Sequence, residues 1–226
     1  MNGLRYPDAA AVDVFAEKAE TVEWRGRRTL RVENGLVLVK DVAVGDGAVE
    51  VDLWAGPGPA YPGIAFRAAD ELDHELVYVQ PHTSGSWDAV QYDPVFNGVN
   101  TWQVFNGPRY QAQAEVPSDR WFTLRVDVVG LRAAVTLMEG AERAGGGRRA
   151  APSRSTLPAP ALAAAHLVHE RRAGRVGVWT YRPAYFAELR VGEAESTTAW
   201  SSPAPTPTRP GRAVGTAGTS NPAPTA

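Results

Sequence analysis

Strict alternation of apolar and polar residues over short segments is the feature that most constrains this chain. A β-strand turns successive side chains to opposite faces, so apolar residues two apart mark a strand with one face against a core. In residues 48–54, Val49, Val51 and Leu53 fall on one face and Glu50, Asp52 and Trp54 on the other. Residues 120–129 repeat the pattern, with Phe122, Leu124, Val126 and Val128 against Thr123, Arg125 and Asp127. Further strands are expected over 29–32, 36–42, 63–67, 75–80, 102–106, 110–116, 131–138, 175–181 and 185–191. Turn residues separate them: Glu33-Asn34-Gly35, Gly45-Asp46-Gly47, Gly56-Pro57-Gly58-Pro59, Asn97-Gly98 and Asn106-Gly107-Pro108. Many short strands at near-regular spacing predict an all-β fold, an antiparallel two-sheet β-sandwich or jelly roll.

Two segments break the pattern inside the expected domain, which spans residues 1–200. Residues 139–160 are rich in Gly, Ala, Arg and Pro and read as an insertion between strands. Residues 161–172 follow with Ala and Leu dominant and Gly174 as a stop, which predicts one short helix. From Ser201 to the end, Pro, Thr, Ser, Ala and Gly prevail with almost no large apolar residue. Such a segment buries too little surface to offset its ordering entropy, so 201–226 is expected to be a disordered tail.

Charge and composition exclude several function classes. The formal net charge is −2, and acidic and basic residues interleave. Nucleic-acid binding needs a concentrated basic stripe. The one basic cluster, 143–154, sits in the Gly-rich insertion and reads as a solvated loop, so no nucleic-acid partner is expected. No run approaches the roughly 20 apolar residues of a membrane span, so no membrane partner is expected either. There are no cysteines, which removes disulfides and thiolate metal sites. No secretory leader is visible at the start, which predicts a cytoplasmic location for the chain as written and an extracellular one if a leader is missing.

Polar and aromatic residues concentrate between Ile64 and Tyr110. On a strand starting at Glu75, alternation places Leu76, Tyr78, Gln80 and His82 on one face. Together with Arg67, Asp88, Gln91, Tyr92, Asn97, Trp102 and Gln103, these residues offer flat rings beside hydrogen-bonding amides, guanidinium and carboxylate. Sugars need that combination, because rings pack against their C–H faces while polar groups pair with adjacent hydroxyls. In this reading Arg67 and Gln91 pair with hydroxyls, Tyr78, Tyr92 and Trp102 stack, and His82 with Asp88 orients the ligand. The same residues also suit a structural network that ties strands and loops together.

The closing strands, Gly174-Arg175-Val176-Gly177-Val178-Trp179 and Tyr185-Phe186-Ala187-Glu188-Leu189-Arg190-Val191, resemble those of concanavalin A-like lectin/glucanase domains. Phe66-Arg67 at the end of one strand and a second strand running from Glu75 to Tyr78 are similar to the concave sheet of that superfamily. The resemblance covers roughly residues 15–191 and extends to laminin G-like modules, family 16-type glucanases and uncharacterised bacterial members. It implies a sandwich fold of a superfamily that contains lectins, hydrolases and adhesion modules. It does not choose among a carbohydrate-binding module, a glycoside hydrolase and a non-enzymatic protein-interaction domain, because function on a shared fold is decided by the site.

For cleavage, the resemblance to family 16-type glucanases points to acids alternating on one strand face. Glu50 and Asp52 match two such positions, and Trp54 stands where a third acid is expected. Glu75, beside His74, is a further candidate acid. A retaining glycosidase needs two carboxylates roughly 5 Å apart. No metal site is expected: His166 and His169 lie three apart but have no third ligand, and zinc requires three or four. No motif calls for a cofactor. A structural Ca2+ would draw on Asp70, Asp73, Asp88 and Asp93, without a dedicated loop.

Overall fold

The computed structural model describes residues 2–3, 11–140, 158–164 and 166–194. Among these residues fifteen strands run in chain order. They are β1 (Asn2–Gly3), β2 (Val12–Trp24), β3 (Arg27–Val44), β4 (Gly47–Trp54), β5 (Gly63–Ala68), β6 (Glu75–Val79), β7 (Val90–Tyr92) and β8 (Val95–Phe96). β9 (Val99–Asn100), β10 (Gln111–Ala112), β11 (Phe122–Val129), β12 (Arg132–Glu139), β13 (Leu162–Ala164), β14 (Gly174–Thr180) and β15 (Ala184–Gly192) complete the set. All their pairings are antiparallel.

Thirteen strands form one curled sheet, with β10-β7-β6-β5-β14-β3 on one side and β3-β15-β4-β11-β12-β13 on the other. β3 belongs to both layers: its residues Gly35–Val44 pair with β14, and Leu30–Val32 pair with β15. The change of layer falls at Asn34 and Gly35, whose φ angles are 48° and 147°. A Cβ on Gly35 would lie 2.3 Å from the Phe15 carbonyl oxygen, so the close approach of β2 requires glycine there. The expected turn at Glu33-Asn34-Gly35 is therefore a bend within one 18-residue strand, and the strands expected over 29–32 and 36–42 are joined. β2 pairs with β3 from Arg27 to Val39 and so spans the bend.

The two layers close on a shared core. Val37, Ile64, Phe66, Val77, Val90 and Val178 come from the first layer, and Val51, Leu53, Phe122, Leu124, Val126 and Phe186 from the second. This is the all-β sandwich that the alternation predicts, with a two-stranded β8-β9 hairpin beside it.

Three local expectations are corrected. The described part of 161–172 does not form a helix: Leu162 pairs with Val135 as part of β13 and is fully buried, and 166–172 are irregular apart from a turn at Val168–His169. Burial of Leu162 and Leu167 in the core overrides the helical propensity of the Ala-rich run. Residues 102–106 form turns rather than a strand, and only Gln111–Ala112 of the expected 110–116 strand is extended. Residues 141–157 of the insertion, the basic cluster within it and the 201–226 tail lie outside the described residues.

Candidate functional site

β6 presents two faces of different chemistry. Val77 and Val79 point into the core, while Leu76 and Tyr78 belong to a separate cluster on the outer side with Val95, Tyr61 and Trp179. Register carries the outer face across neighbouring strands. Gly63 of β5 lies opposite Tyr78 of β6 on one side and Trp179 of β14 on the other. A side chain at Gly63 would meet the Val77 carbonyl oxygen at 2.3 Å, so the position stays bare and the Tyr78 and Trp179 rings approach to 5.7 Å above it. Gln91 of β7 sits opposite Tyr78, and Gln111 of β10 opposite Gln91.

Loops raise walls around this floor and enclose a cleft of about 540 Å³. Tyr61, from the β4–β5 connection, meets Tyr78 edge-on at 5.9 Å and Tyr181 at 5.9 Å. The β6–β7 connection contributes Trp87 and Asp88, and the chain after β7 contributes Asp93, Asn100 and Trp102. Trp87, Trp102 and Tyr181 are each about half exposed, which leaves their ring faces open to a ligand.

Most amide groups in the cleft are turned inward. Gln91 Nε2 donates to the carbonyl oxygens of Tyr92 (2.7 Å) and Phe105 (2.9 Å), and its Oε1 accepts from Gln111 Nε2 at 2.6 Å. Gln111 Oε1 accepts from the Gly107 amide at 2.7 Å. Gln80 Nε2 donates to the Asp88 carbonyl oxygen at 2.6 Å. These bonds fix the loops that carry Trp87 and Trp102, so Gln91 positions the wall rather than presenting a free amide.

Two carboxylates line the cleft, and their surroundings differ. Asp93 is fully buried and accepts from Asn100 Nδ2 and the Thr101 amide, both at 2.7 Å. Burial holds its carboxyl above the ordinary value, against hydrogen bonds from Asn100, Thr101 and Trp102 that pull it down. Asp88 is half-buried, and its carboxylate accepts no hydrogen bond among the described residues. Burial, then the charge of Asp93, with Tyr61 and Asp88 adding to it, pushes the Tyr78 phenol far above its usual value.

Of the residues expected to form a ligand face, the structure brings Tyr78, Gln80, Asp88, Gln91 and Trp102 into this cleft. The others lie elsewhere. Arg67 takes a left-handed backbone (φ 47°), which breaks the alternation and sends its side chain to the end of the sandwich. There it donates to the Gly130 carbonyl oxygen at 2.7 Å and to Asp46 at 3.0 Å, with 1% of its surface exposed. Tyr92 is a core residue whose hydroxyl reaches Glu75. His82 packs edge-on against Tyr61, with ring centroids 5.0 Å apart, outside the lining. Asn97 occupies the exposed β8–β9 turn with φ 49°, and Gln103 lies on the exposed loop beyond it. Tyr61, Trp87, Asp93, Asn100, Gln111, Trp179 and Tyr181 complete the cleft and were not among the expected ligand residues.

None of the candidate acids lines the cleft, and Glu75 is not brought to Glu50 and Asp52. Glu50 and Asp52 share the outer face of the second layer, where Arg125 and Arg190 contact Glu50 and Arg27, Arg190 and Thr123 contact Asp52. Both are at least 92% buried under this network. Glu75 belongs to the first layer, fully buried, with Oε2 accepting from the Tyr92 hydroxyl and Oε1 from the His169 amide. Among the described residues, no group of three His, Cys, Asp or Glu side chains is placed to hold a metal ion. Asp70 caps the Leu72 and Asp73 amides, and Asp73 accepts from the Asn97 amide.

No family model matches the chain, and no curated protein matches it. Among solved structures it is similar to the carbohydrate binding module CBM66 from Bacillus subtilis, with TM-score 0.57 and 15% identity over 81% of this chain and 96% of that one. A functionally unknown protein from Saccharomyces cerevisiae gives TM-score 0.48 and 13% identity over 82% and 96% of the two chains. A Bacillus subtilis protein of unknown function with a galectin-like fold gives TM-score 0.46 and 11% identity over 78% and 86%. At these identities the likeness to the first is one of fold, and it agrees with the sandwich described above.

Proposed function

We propose that this chain is a carbohydrate-binding module whose ligand lies in the cleft on the outer face of the first layer. The observation that carries the reading is the lining itself: six aromatic side chains surround the half-buried Asp88, whose carboxylate has no hydrogen bond among the described residues. Aromatic faces pack against the C–H surfaces of a sugar ring, and a free carboxylate accepts from paired hydroxyls. The volume falls within the roughly 300–1,000 Å³ of small-ligand sites and differs from the broad, flat surface that a protein partner would need. The fold likeness to a carbohydrate binding module supports the reading, and the concanavalin A-like resemblance of the closing strands forms part of it.

The proposal is binding without cleavage. Glycoside hydrolysis needs two working carboxylates, one of them free to give or take a proton. In the cleft, Asp93 is tied to Asn100 and Thr101, while Glu50 and Asp52 are held by arginines on the opposite layer. A glycan array probed with the wild-type chain and with Trp102→Ala, with reducing-end release assayed in parallel, tests the proposal. Saturable binding that Trp102→Ala weakens about tenfold or more, without release, is expected. Absence of binding to every glycan overturns it.

A further inference from the structure

The amides of the cleft are largely occupied within the fold, which leaves indole N–H groups, tyrosine hydroxyls and one carboxylate around the space. The amide nitrogens of Gln80, Gln91, Asn100 and Gln111 all donate into the protein. Among the described residues the Asp88 carboxylate accepts no hydrogen bond, and the Tyr78 hydroxyl, able to donate or accept, makes none. Among the described residues the lining contains two aspartates and no Lys, Arg or His. Two groups able to carry positive charge stand outside it: His82 packs edge-on against Tyr61, and the exposed Arg182 guanidinium lies 5.2 Å from the Tyr181 ring centroid. Tyr61, Tyr78 and Tyr181, with Trp87, Trp102 and Trp179, provide electron-rich faces on several sides of the same space.

Resting on the proposed saccharide-binding role, we infer that the cleft prefers a sugar bearing a free amine over its neutral counterpart and disfavours acidic sugars. An ammonium group is donor-only, so it pairs with an open carboxylate such as that of Asp88. It is attracted by aromatic faces through their quadrupoles and by Asp88 through direct charge. A uronate or sulfated sugar would bring a second anion beside Asp88 with no cation in the lining to receive it. Neutral sugars bind through ring stacking and hydroxyl donors but lack the charge contribution.

Calorimetric titration of the wild-type chain with length-matched oligosaccharides tests this: fully deacetylated chitooligosaccharide, cello-oligosaccharide and oligogalacturonate, with choline as a cation that lacks a sugar ring. The amino sugar is expected to bind about tenfold more tightly than the neutral one, and the oligogalacturonate more weakly than either. The preference should shrink as NaCl is raised from low to physiological strength and beyond, because Asp88 is partly exposed to screening ions. Asp88→Asn, conservative in shape at a position whose carboxylate makes no bond among the described residues, should weaken amino-sugar binding more than neutral-sugar binding, so that the two affinities converge. Neutral and amino sugars binding equally to the wild type would overturn the charge preference and leave the saccharide-binding role standing. Choline binding as tightly as the amino sugar would overturn the role of the sugar ring. No binding by any probe would overturn both.

Discussion

The hydroxyl of Tyr92 donates to Glu75 Oε2 across 2.6 Å inside the core of the first layer, joining β7 to β6. The same hydroxyl accepts from the Val168 amide at 3.0 Å, so one phenol also anchors the segment that follows β13. Tyr92→Phe should lower stability by about 1–3 kcal/mol in urea titrations, because it strands a buried carboxyl acceptor and a buried amide. The pH dependence carries a second signature. Burial holds the Glu75 carboxyl above its ordinary value, so the folded chain keeps that proton more tightly than the unfolded chain. Its contribution is therefore fully present below the unfolded value of about 4.3 and is lost as pH rises through the raised folded value. Glu75→Gln should flatten the stability profile over that window. An unchanged slope would show that Glu75 does not carry it.

His74 works in the opposite direction. It is 2% exposed, neither ring nitrogen has a hydrogen-bond partner, and burial, with His169 and Arg171 opposing the charge and Asp70 and Asp73 favouring it, lowers its pKa to about 4. The unfolded chain takes up this proton first, near pH 6.5, so the stability present above that value is lost as pH falls towards 4. Over the whole interval the loss is about 3 kcal/mol. Subtracting the profile of His74→Phe from that of the wild type should isolate a loss of this sign, and a difference that does not vary with pH would contradict the assignment.

Glu50 and Arg125 form the centre of an ion-pair network that continues through Asp127 on one side and through Arg190 to Asp52 on the other. Glu50 and Arg125 are at most 3% exposed, so removing one partner leaves a buried charge uncompensated. Arg125→Met should cost about 3–5 kcal/mol in chemical denaturation. Glu50→Gln, tested for glycan binding under conditions where it stays folded, should bind as the wild type does. A selective loss of binding or of sugar release in that variant would return Glu50 to the functional site.

Much of the fold is legible in the sequence, and the exceptions have physical causes. β4 and β11 keep period two throughout, so their core faces can be read directly. The outer face of β4 is buried rather than solvated because arginines from β3, β11 and β15 neutralise its acids, and no single strand reveals that pairing. β2 carries Asp13, Glu17, Lys18, Glu20 and Glu23, a density of charge that suits an edge strand paired on one side only and hides its extended character. In the site, Tyr78, Gln80, Asp88, Gln91 and Trp102 could be found because they cluster in sequence. Tyr61, Trp179 and Tyr181 come from distant segments and reach the cleft only through the register of β5 between β6 and β14. Arg67 escapes the alternation because one residue with positive φ redirects its side chain.

The most direct test of the central claim is a 1H–15N spectrum of the tryptophan indole groups, recorded while the tightest-binding glycan is titrated. Trp87, Trp102 and Trp179 line the cleft, whereas Trp24 and Trp54 pack against Tyr185, and Trp121 packs against Arg27, on the other layer. The account predicts that the first three indole signals shift in a saturable manner while those of Trp24, Trp54 and Trp121 stay in place. Shifts confined to the second set, or binding that leaves Trp87, Trp102 and Trp179 unmoved, would contradict it.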